Sequence, residues 1–209
     1  VVSCKGTTCQ YGLIDTYALS LAIHERFFQG YAGVKLPHKF KIAVGGCPNN
    51  CVKPDLNDVG IVGQRIPRVI PELCKGCKLC EKSCPLHVAK VVDGKAVIDP
   101  AQCNNCGRCI PKCPFQAIEA QAIEAQATGY QVYIGGRWGK RTAMGRPLST
   151  IFTDQEELLT LIEKCLLLFR AYGQPKERFA DTITRLGFDQ VQALLLSDEL
   201  LQRKEEILA

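Results

Sequence analysis

Cys74-Lys-Gly-Cys77-Lys-Leu-Cys80-Glu-Lys-Ser-Cys84-Pro85 decides the fold of the central part of this chain. The same cysteine pattern returns 29 residues later as Cys103-Asn-Asn-Cys106-Gly-Arg-Cys109-Ile-Pro-Lys-Cys113-Pro114. Three cysteines at this spacing wrap one face of a cuboidal iron–sulfur cluster, and the fourth, before proline, ligates the other cluster. The expected ligand sets are therefore Cys74, Cys77, Cys80 with Cys113, and Cys103, Cys106, Cys109 with Cys84.

Disulfides and zinc sites also use closely spaced cysteines. Disulfides need an oxidising compartment, and the first residues show neither a basic region nor an apolar signal segment, which favours a cytoplasmic location. Zinc sites usually present two C-x2-C pairs a dozen or more residues apart, rather than a tight triplet with a distant fourth ligand. The spacing therefore favours iron–sulfur clusters over disulfides and zinc.

The composition is that of a folded chain. It has 209 residues, of which 46% are hydrophobic and 22% charged, with a net charge of +5. Such a mild positive charge favours anionic ligands or acidic partners and does not indicate nucleic-acid binding. Glu163 and Lys164 interrupt the longest apolar stretch, so no membrane span is expected.

A third group of cysteines flanks the two central runs. It comprises Cys4, Cys9, Cys47 and Cys51, the last two within Gly45-Gly46-Cys47-Pro48-Asn49-Asn50-Cys51. The two glycines permit a tight backbone turn and the proline fixes it, which holds two thiols on one edge of a site. Asn49 and Asn50 are expected to offer amide donors to sulfur.

These motifs together resemble a known family. Residues 69–120 resemble bacterial-type two-cluster ferredoxins, which accept and pass single electrons at low potential. The order of Cys-x-Gly, Gly-Gly-Cys-Pro-Asn-Asn-Cys and then a ferredoxin insert resembles the siroheme-dependent sulfite and nitrite reductases, best the dissimilatory and anaerobic types. Residues 129–139 resemble the strand-plus-glycine segment that resumes the reductase domain, and residues 177–187 resemble its terminal helices.

The resemblance implies an α+β fold. It corresponds to the C-terminal half of a nitrite/sulfite reductase-type domain with an inserted βαββαβ-like ferredoxin module. The expected domains are residues 1–68 for the first part of the reductase domain, 69–120 for the ferredoxin insert and 121–209 for the resumed reductase domain with its C-terminal helices. The family's N-terminal half, which supplies most contacts to siroheme and to the substrate anion, would precede Cys4.

The resemblance also implies a third 4Fe–4S cluster, held by Cys4, Cys9, Cys47 and Cys51. Cys51 matches the ligand whose sulfur bridges to the siroheme iron. The first pair departs from the family, because it reads C-x4-C where C-x5-C is usual. Arg137, Lys140, Arg141 and Arg146 are expected to pair with siroheme carboxylates or to form a solvated basic loop. Trp138 is expected on the macrocycle or in the core.

The implied function is that of an oxidoreductase of the sulfite/nitrite reductase class. Electrons from a low-potential donor protein would pass through the two ferredoxin clusters to the siroheme-coupled cluster, where sulfite or nitrite is reduced. The alternative is an electron-transfer subunit that holds clusters without siroheme or a substrate of its own. Either role is compatible with a hetero- or homo-oligomer.

Hydrophobic periodicity and capping residues predict the surrounding helices and strands. A helix capped by Asp15 or Thr16 should run to about Phe28, and Thr153-x-x-Glu156 should be the capping box of another. Further helices are expected between Pro175 and Gly187 and over residues 189–208. Cys165 lies in an apolar helical stripe and should be an inert core thiol. The duplicated Ala-Ile-Glu-Ala-Gln at 117–126 should be absorbed by a loop, a bulge or a helix.

Overall fold

A computed structural model describes residues 1–123 and 126–209 of the chain. The strands are β1 (Val2–Ser3), β2 (Ile42–Gly45), β3 (Val59–Gln64), β4 (Pro67–Val69), β5 (Ala89–Val92), β6 (Lys95–Ile98), β7 (Ile118–Ala120), β8 (Gly129–Ile134) and β9 (Arg146–Phe152). The α-helices are α1 (Thr16–Ile23), α2 (Leu79–Ser83), α3 (Gln155–Tyr172), α4 (Phe179–Leu186), α5 (Phe188–Leu196), α6 (Glu199–Gln202) and α7 (Lys204–Leu208).

The larger body is built on a five-stranded sheet with the order β1-β2-β3-β8-β9. Strands β1, β2 and β3 run parallel to one another, β8 runs antiparallel to β3, and β9 runs antiparallel to β8. Val44 lies opposite Ile61, and Ile61 lies opposite Val132. Helix α3 contacts β9 and all four C-terminal helices, so it is buried on most sides. The expected α+β fold is therefore present.

Cys165 is fully buried on α3, as the apolar stripe predicts. Burial raises the pKa of its thiol, which keeps it protonated. No other ionisable group contributes to that shift, so its surroundings are those of a core side chain. The predicted placement of this thiol in the core is confirmed.

The smaller body is inserted between β3 and β8. Strands β4 and β7 pair antiparallel, with Pro67 opposite Ala120, so the chain enters and leaves the insert side by side. Inside it lie α2 and the β5–β6 hairpin. A second helix is expected in a βαββαβ module, but residues 108–112 form turns. Pro111 explains this difference, because it lacks the amide donor that a helix interior requires.

Most predicted helix boundaries agree with the structure. The Asp15 carboxylate accepts hydrogen bonds from the amides of Tyr17 and Ala18, and the helix continues past Ile23 as a π-helical segment (His24–Gln29). The capping box in the sequence places the cap of α3 one residue too early. Asp154, not Thr153, accepts from the amide of Glu157.

The C-terminal elements differ more from their predictions. The helix expected from Pro175 begins only at Phe179, and residues 189–208 are divided among α5, α6 and α7. The first copy of the duplicated pentapeptide supplies β7, and in the second copy Ile123 bridges Gln126 outside any named strand. Glu124 and Ala125 of that copy lie outside the described residues. In the part of the chain that the structure describes, no helix is both long and apolar enough to cross a membrane.

Candidate metal centres

The two central cysteine runs share one backbone path. Left-handed residues recur at equivalent places in the two runs: Gly76 (φ 67°) and Asn105 (56°), Lys78 (62°) and Gly107 (64°), and His87 (56°) and Gln116 (51°). Each such residue reverses the direction of the chain, which turns successive cysteines toward a common interior. The sequence repeat is therefore also a repeat of these left-handed turns.

Cys84 from the first run lies among the cysteines of the second. Burial, together with charge on Cys103, Cys106 and Cys84, raises the pKa of Cys109 to about 12. The pKa of Cys103 is likewise raised, first by burial and then by Cys106 and Cys84. These four thiols are close enough to act on one another's pKa, and their role as one ligand set remains a prediction. They could not all carry a negative charge without a positive centre between them.

Cys84 itself is arranged to be a thiolate. Burial would raise its pKa, but the four successive backbone amides of residues 86–89 oppose that effect, and the pKa is lowered. At the equivalent place in the second run, the amide of Ala117 lies 3.2 Å from Cys113 Sγ. Amides directed at sulfur stabilise the anionic form that binds iron.

The first three cysteines of the first run also converge. Burial raises the pKa of Cys80, and charge on Cys74 and Cys77 contributes to the increase. The amide of Ala96 lies 3.2 Å from Cys74 Sγ. Cys113 packs in the same apolar cluster as Cys74 and Cys80, which also contains Cys84 and Cys109. Its assignment to this set remains a prediction.

The outer cysteines Cys4, Cys9, Cys47 and Cys51 also form a group. Burial raises the pKa of Cys47, the Asn49 amide lowers it, and charge on each of the other three cysteines raises it. The loops approach through two glycines: a Cβ on Gly46 would lie 2.7 Å from Gly6 Cα. This contact lets the amide of Gly46 reach Cys4 Sγ at 3.1 Å. Glycine is therefore required at both places.

The expected amide donors from Asn49 and Asn50 are only partly present. The backbone amide of Asn49 acts on Cys47. Its side-chain oxygen, however, accepts a hydrogen bond from Arg108, and the Asn50 side-chain amide donates to both carboxylate oxygens of Asp55 at 3.0 and 3.1 Å. Asn50 thus fixes the turn rather than contacting sulfur.

All thirteen cysteines are free thiols. Within residues 1–123 and 126–209, no group of three or more His, Cys, Asp or Glu side chains is arranged to hold a metal ion. A four-iron cage is larger than one ion and holds its thiolates farther apart, so this finding gives the zinc alternative no support. Convergent thiols, buried surroundings and amides directed at sulfur are the donor set that an iron–sulfur cluster uses.

The four basic residues near the β8–β9 loop occupy different surroundings. Arg137, Arg141 and Arg146 line one cleft of about 440 Å³, whereas Lys140 and Cys51 are not among its lining residues. Asp181 already pairs with Arg137 at 2.8 Å, and the Arg146 guanidinium lies 3.8 Å from the centre of the Phe188 ring. Their contacts to siroheme remain predictions.

Trp138 at the tip of this loop does not pack in the core. It is 60% exposed, and Lys53 Nζ lies 5.2 Å from the centre of its ring. The loop also reaches back to the segment after Cys51, because Gly145 donates its amide to the Asp55 carbonyl oxygen at 2.6 Å. The basic loop therefore adjoins the outer cysteine loop without sharing a cavity with Cys51.

Two arginines join the cysteine sets, and neither was singled out from the sequence. The amide of Arg65, just after β3, donates to the Asn105 carbonyl oxygen at 2.7 Å. Arg108 lies 2.5 Å from Asn49 Oδ1, in a cleft of about 460 Å³ that Cys47 and Cys106 both line. Aligning the two runs could have pointed to Arg108, because it stands where the first run has Leu79.

The sequence of this chain is similar to those of known sulfite reductases. The chain is 34% identical over 185 residues to a coenzyme F420-dependent sulfite reductase of Methanocaldococcus jannaschii, covering 88% of this chain and 28% of that protein. It is 32% identical over 146 residues to the C subunit of the anaerobic sulfite reductase of Salmonella typhimurium, covering 68% of this chain and 40% of that one. The chain therefore spans less than two thirds of the length of these relatives.

The fold has a counterpart among solved structures. Dissimilatory sulfite reductase I matches 92% of this chain and 51% of its own chain with a TM-score of 0.66 at 21% identity, a likeness of fold alone. The family model for the nitrite and sulphite reductase 4Fe-4S domain matches residues 1–204. The chain thus belongs to the nitrite and sulfite reductase 4Fe-4S domain family.

Proposed function

We propose that this chain is the cluster-bearing part of a sulfite or nitrite reductase, with 4Fe–4S clusters in its three cysteine sets. The observation that carries the proposal is the convergence of the outer cysteines with one another and of Cys84 with Cys103, Cys106 and Cys109. The clusters would supply one-electron storage and transfer, and the protein would supply their position and electrostatic surroundings.

Exposure supports an order for the three sets. Cys77 of the first set is exposed, whereas Cys106 of the second is partly covered and lines a cleft with Cys47 of the outer set. The first set would therefore receive electrons from a low-potential donor protein, and the second would stand between it and the outer set. The name of the Salmonella relative, a subunit, supports a multi-subunit assembly for this chain too.

Siroheme is proposed as the partner of the outer set. Cys51 is exposed at the end of its loop and would be the ligand nearest that group. Arg141, Arg146 and Lys140 would meet its carboxylates, because Arg137 is held by Asp181. Siroheme would supply the metal that binds the small anion. Choice between sulfite and nitrite lies with residues that contact that anion.

Iron analysis and spectroscopy of anaerobically purified protein test the proposal. We expect about twelve irons per chain, from three four-iron sites, with matching acid-labile sulfide. Siroheme absorption bands that change on adding sulfite would support the reductase. Cluster absorbance without such bands after reconstitution would favour the electron-carrier alternative. Absence of iron and sulfide would refute the whole proposal.

Cys51→Ser tests the outer set separately. Iron should fall from about twelve to about eight per chain, and siroheme binding should be lost, because one thiolate of the outer set is gone. Cys165→Ala is the matched control, since it removes a buried thiol that belongs to no set, and it should keep about twelve. Loss of all iron in Cys51→Ser would indicate general misfolding instead.

A further inference from the structure

The two central runs differ where the larger body touches them. Position 107 is glycine, and a Cβ there would lie 2.7–2.9 Å from the side chain of Arg65. The equivalent residue in the first run is Lys78, which is exposed. The second run is therefore shaped to lie against the end of β3, whereas the equivalent position of the first run carries an exposed lysine.

Arg108 completes this contact with its side chain. Its guanidinium Nη2 lies 2.5 Å from Asn49 Oδ1, and its central carbon lies 4.2 Å from the centre of the Tyr11 ring. Asn49 lies between Cys47 and Cys51, and Tyr11 follows Cys9 by two residues. One side chain between two ligands of the second set thus holds both loops of the outer set.

The space between the two sets also carries positive charge. Arg65, Arg108 and Lys112 line the cleft that Cys47 and Cys106 share. Arg65 Nε is buried and has no hydrogen-bond partner among the described residues. No carboxylate stands among the described residues that line this cleft, so these cations would face the negative charge of the cysteine thiolates on both sides.

We propose that Arg108 is a positioning residue that clamps the Cys84/Cys103/Cys106/Cys109 set against the outer set, and that electrons cross between the two sets at this cleft. The proposal rests on the proposed function, because it requires clusters in both sets. One electron moves in this step, with no bond made or broken and no proton transferred. The second set is oxidised as the outer set is reduced.

Paramagnetic resonance of the reduced, iron-loaded full chain tests the clamp. Two reduced clusters held close together split and broaden each other's signals. We expect Arg108→Ala to keep about twelve irons and to lose the signal splitting caused by the interaction between these two clusters. Arg108→Lys should recover part of that splitting. Lys75→Gln, which removes an exposed charge beside Cys74 in the first run, should keep it. Unchanged splitting in Arg108→Ala would overturn the proposal.

Amide hydrogen exchange of the metal-free chain gives a second, independent readout. Arg108→Ala should speed exchange at residues 9–13 and 47–51, and Asn49→Ala should speed it at residues 47–51. The double variant should match Arg108→Ala, because Asn49→Ala removes one of the two contacts that Arg108 makes. Additive effects would overturn the clamp. Were the wild-type chain to hold only about eight irons, the outer cluster of the proposed function would fail, and exchange alone would decide whether Arg108 links the loops.

Discussion

At the scale of single residues, cysteine spacing predicts more than any other feature of this chain. Ligands with two residues between them share a turn, so their convergence is a local property that the sequence encodes directly. Arg108 is different: its partners Asn49 and Tyr11 lie about 60 and 100 residues away in sequence, and only the placement of the insert brings them together. Spacing could not predict that contact because nothing local specifies it.

Glu177 gives a prediction about acid stability. Arg185 lies 2.8 and 3.0 Å from its carboxylate oxygens and, against the effect of burial, lowers its pKa from 4.5 to about 2. The stabilisation is fully present above about pH 4.5 and is lost as the pH falls through about 2. Urea unfolding of metal-free protein should show Glu177→Gln less stable at pH 7, with the difference shrinking below pH 4.5. A pH-independent difference would contradict this account.

Cys165 gives a prediction about packing. The side chain is fully buried, so Cys165→Ala should lower the free energy of unfolding by about 1–2 kcal/mol through lost contacts. The wild-type thiol should not react with a thiol reagent until the protein unfolds. Mass spectrometry can locate the label in folded, metal-free protein. Rapid labelling at Cys165 would show that this position opens to solvent.

At the scale of elements, the outer boundaries of helices are predicted better than the breaks inside a helical region. A capping carboxylate is a local signal, which is why the cap of α1 agrees with its prediction. The breaks between α5, α6 and α7 come at Ser197-Asp198 and Arg203, where no glycine or proline stands. All three helices contact α3, and contacts between distant segments are not visible in the local sequence pattern.

One buried ion pair links the residue before β3 to the residue before α4. Asp58 is fully buried, accepts from the Lys41 amide at 2.9 Å and pairs with Arg178 at 3.1 Å. Asp58→Ala should destabilise the protein by about 3–5 kcal/mol, because it leaves a buried guanidinium unpaired. Denaturant unfolding measures this.

The double replacement Asp58→Leu with Arg178→Met is the control for that pair. It should recover part of the loss, since it leaves no unpaired charge inside the protein. If the double variant is as unstable as the sum of the two single ones, the ion pair is not the cause of the loss.

At the scale of the whole molecule, the insert is joined to the larger body by a narrow pair of strands. Ile66 accepts from the Gln121 amide at 2.8 Å, so the two connections are neighbours. Replacing residues 66–121 by a short glycine-serine linker should leave the five-stranded sheet folded. Iron should fall from about twelve to about four per chain. Circular dichroism and iron analysis check this, and an insoluble product would show that the sheet needs the insert.

The proposed ligation by Cys84 of the cluster in the second run also bears on how the insert matures. A site whose fourth ligand comes from the opposite half cannot close until both halves have folded together. Loading would then be cooperative, and titrating the metal-free polypeptide with iron and sulfide should give a sigmoidal curve. With the predicted ligation by Cys113 of the first cluster, each half would complete the other's site, and the insert would assemble as one unit.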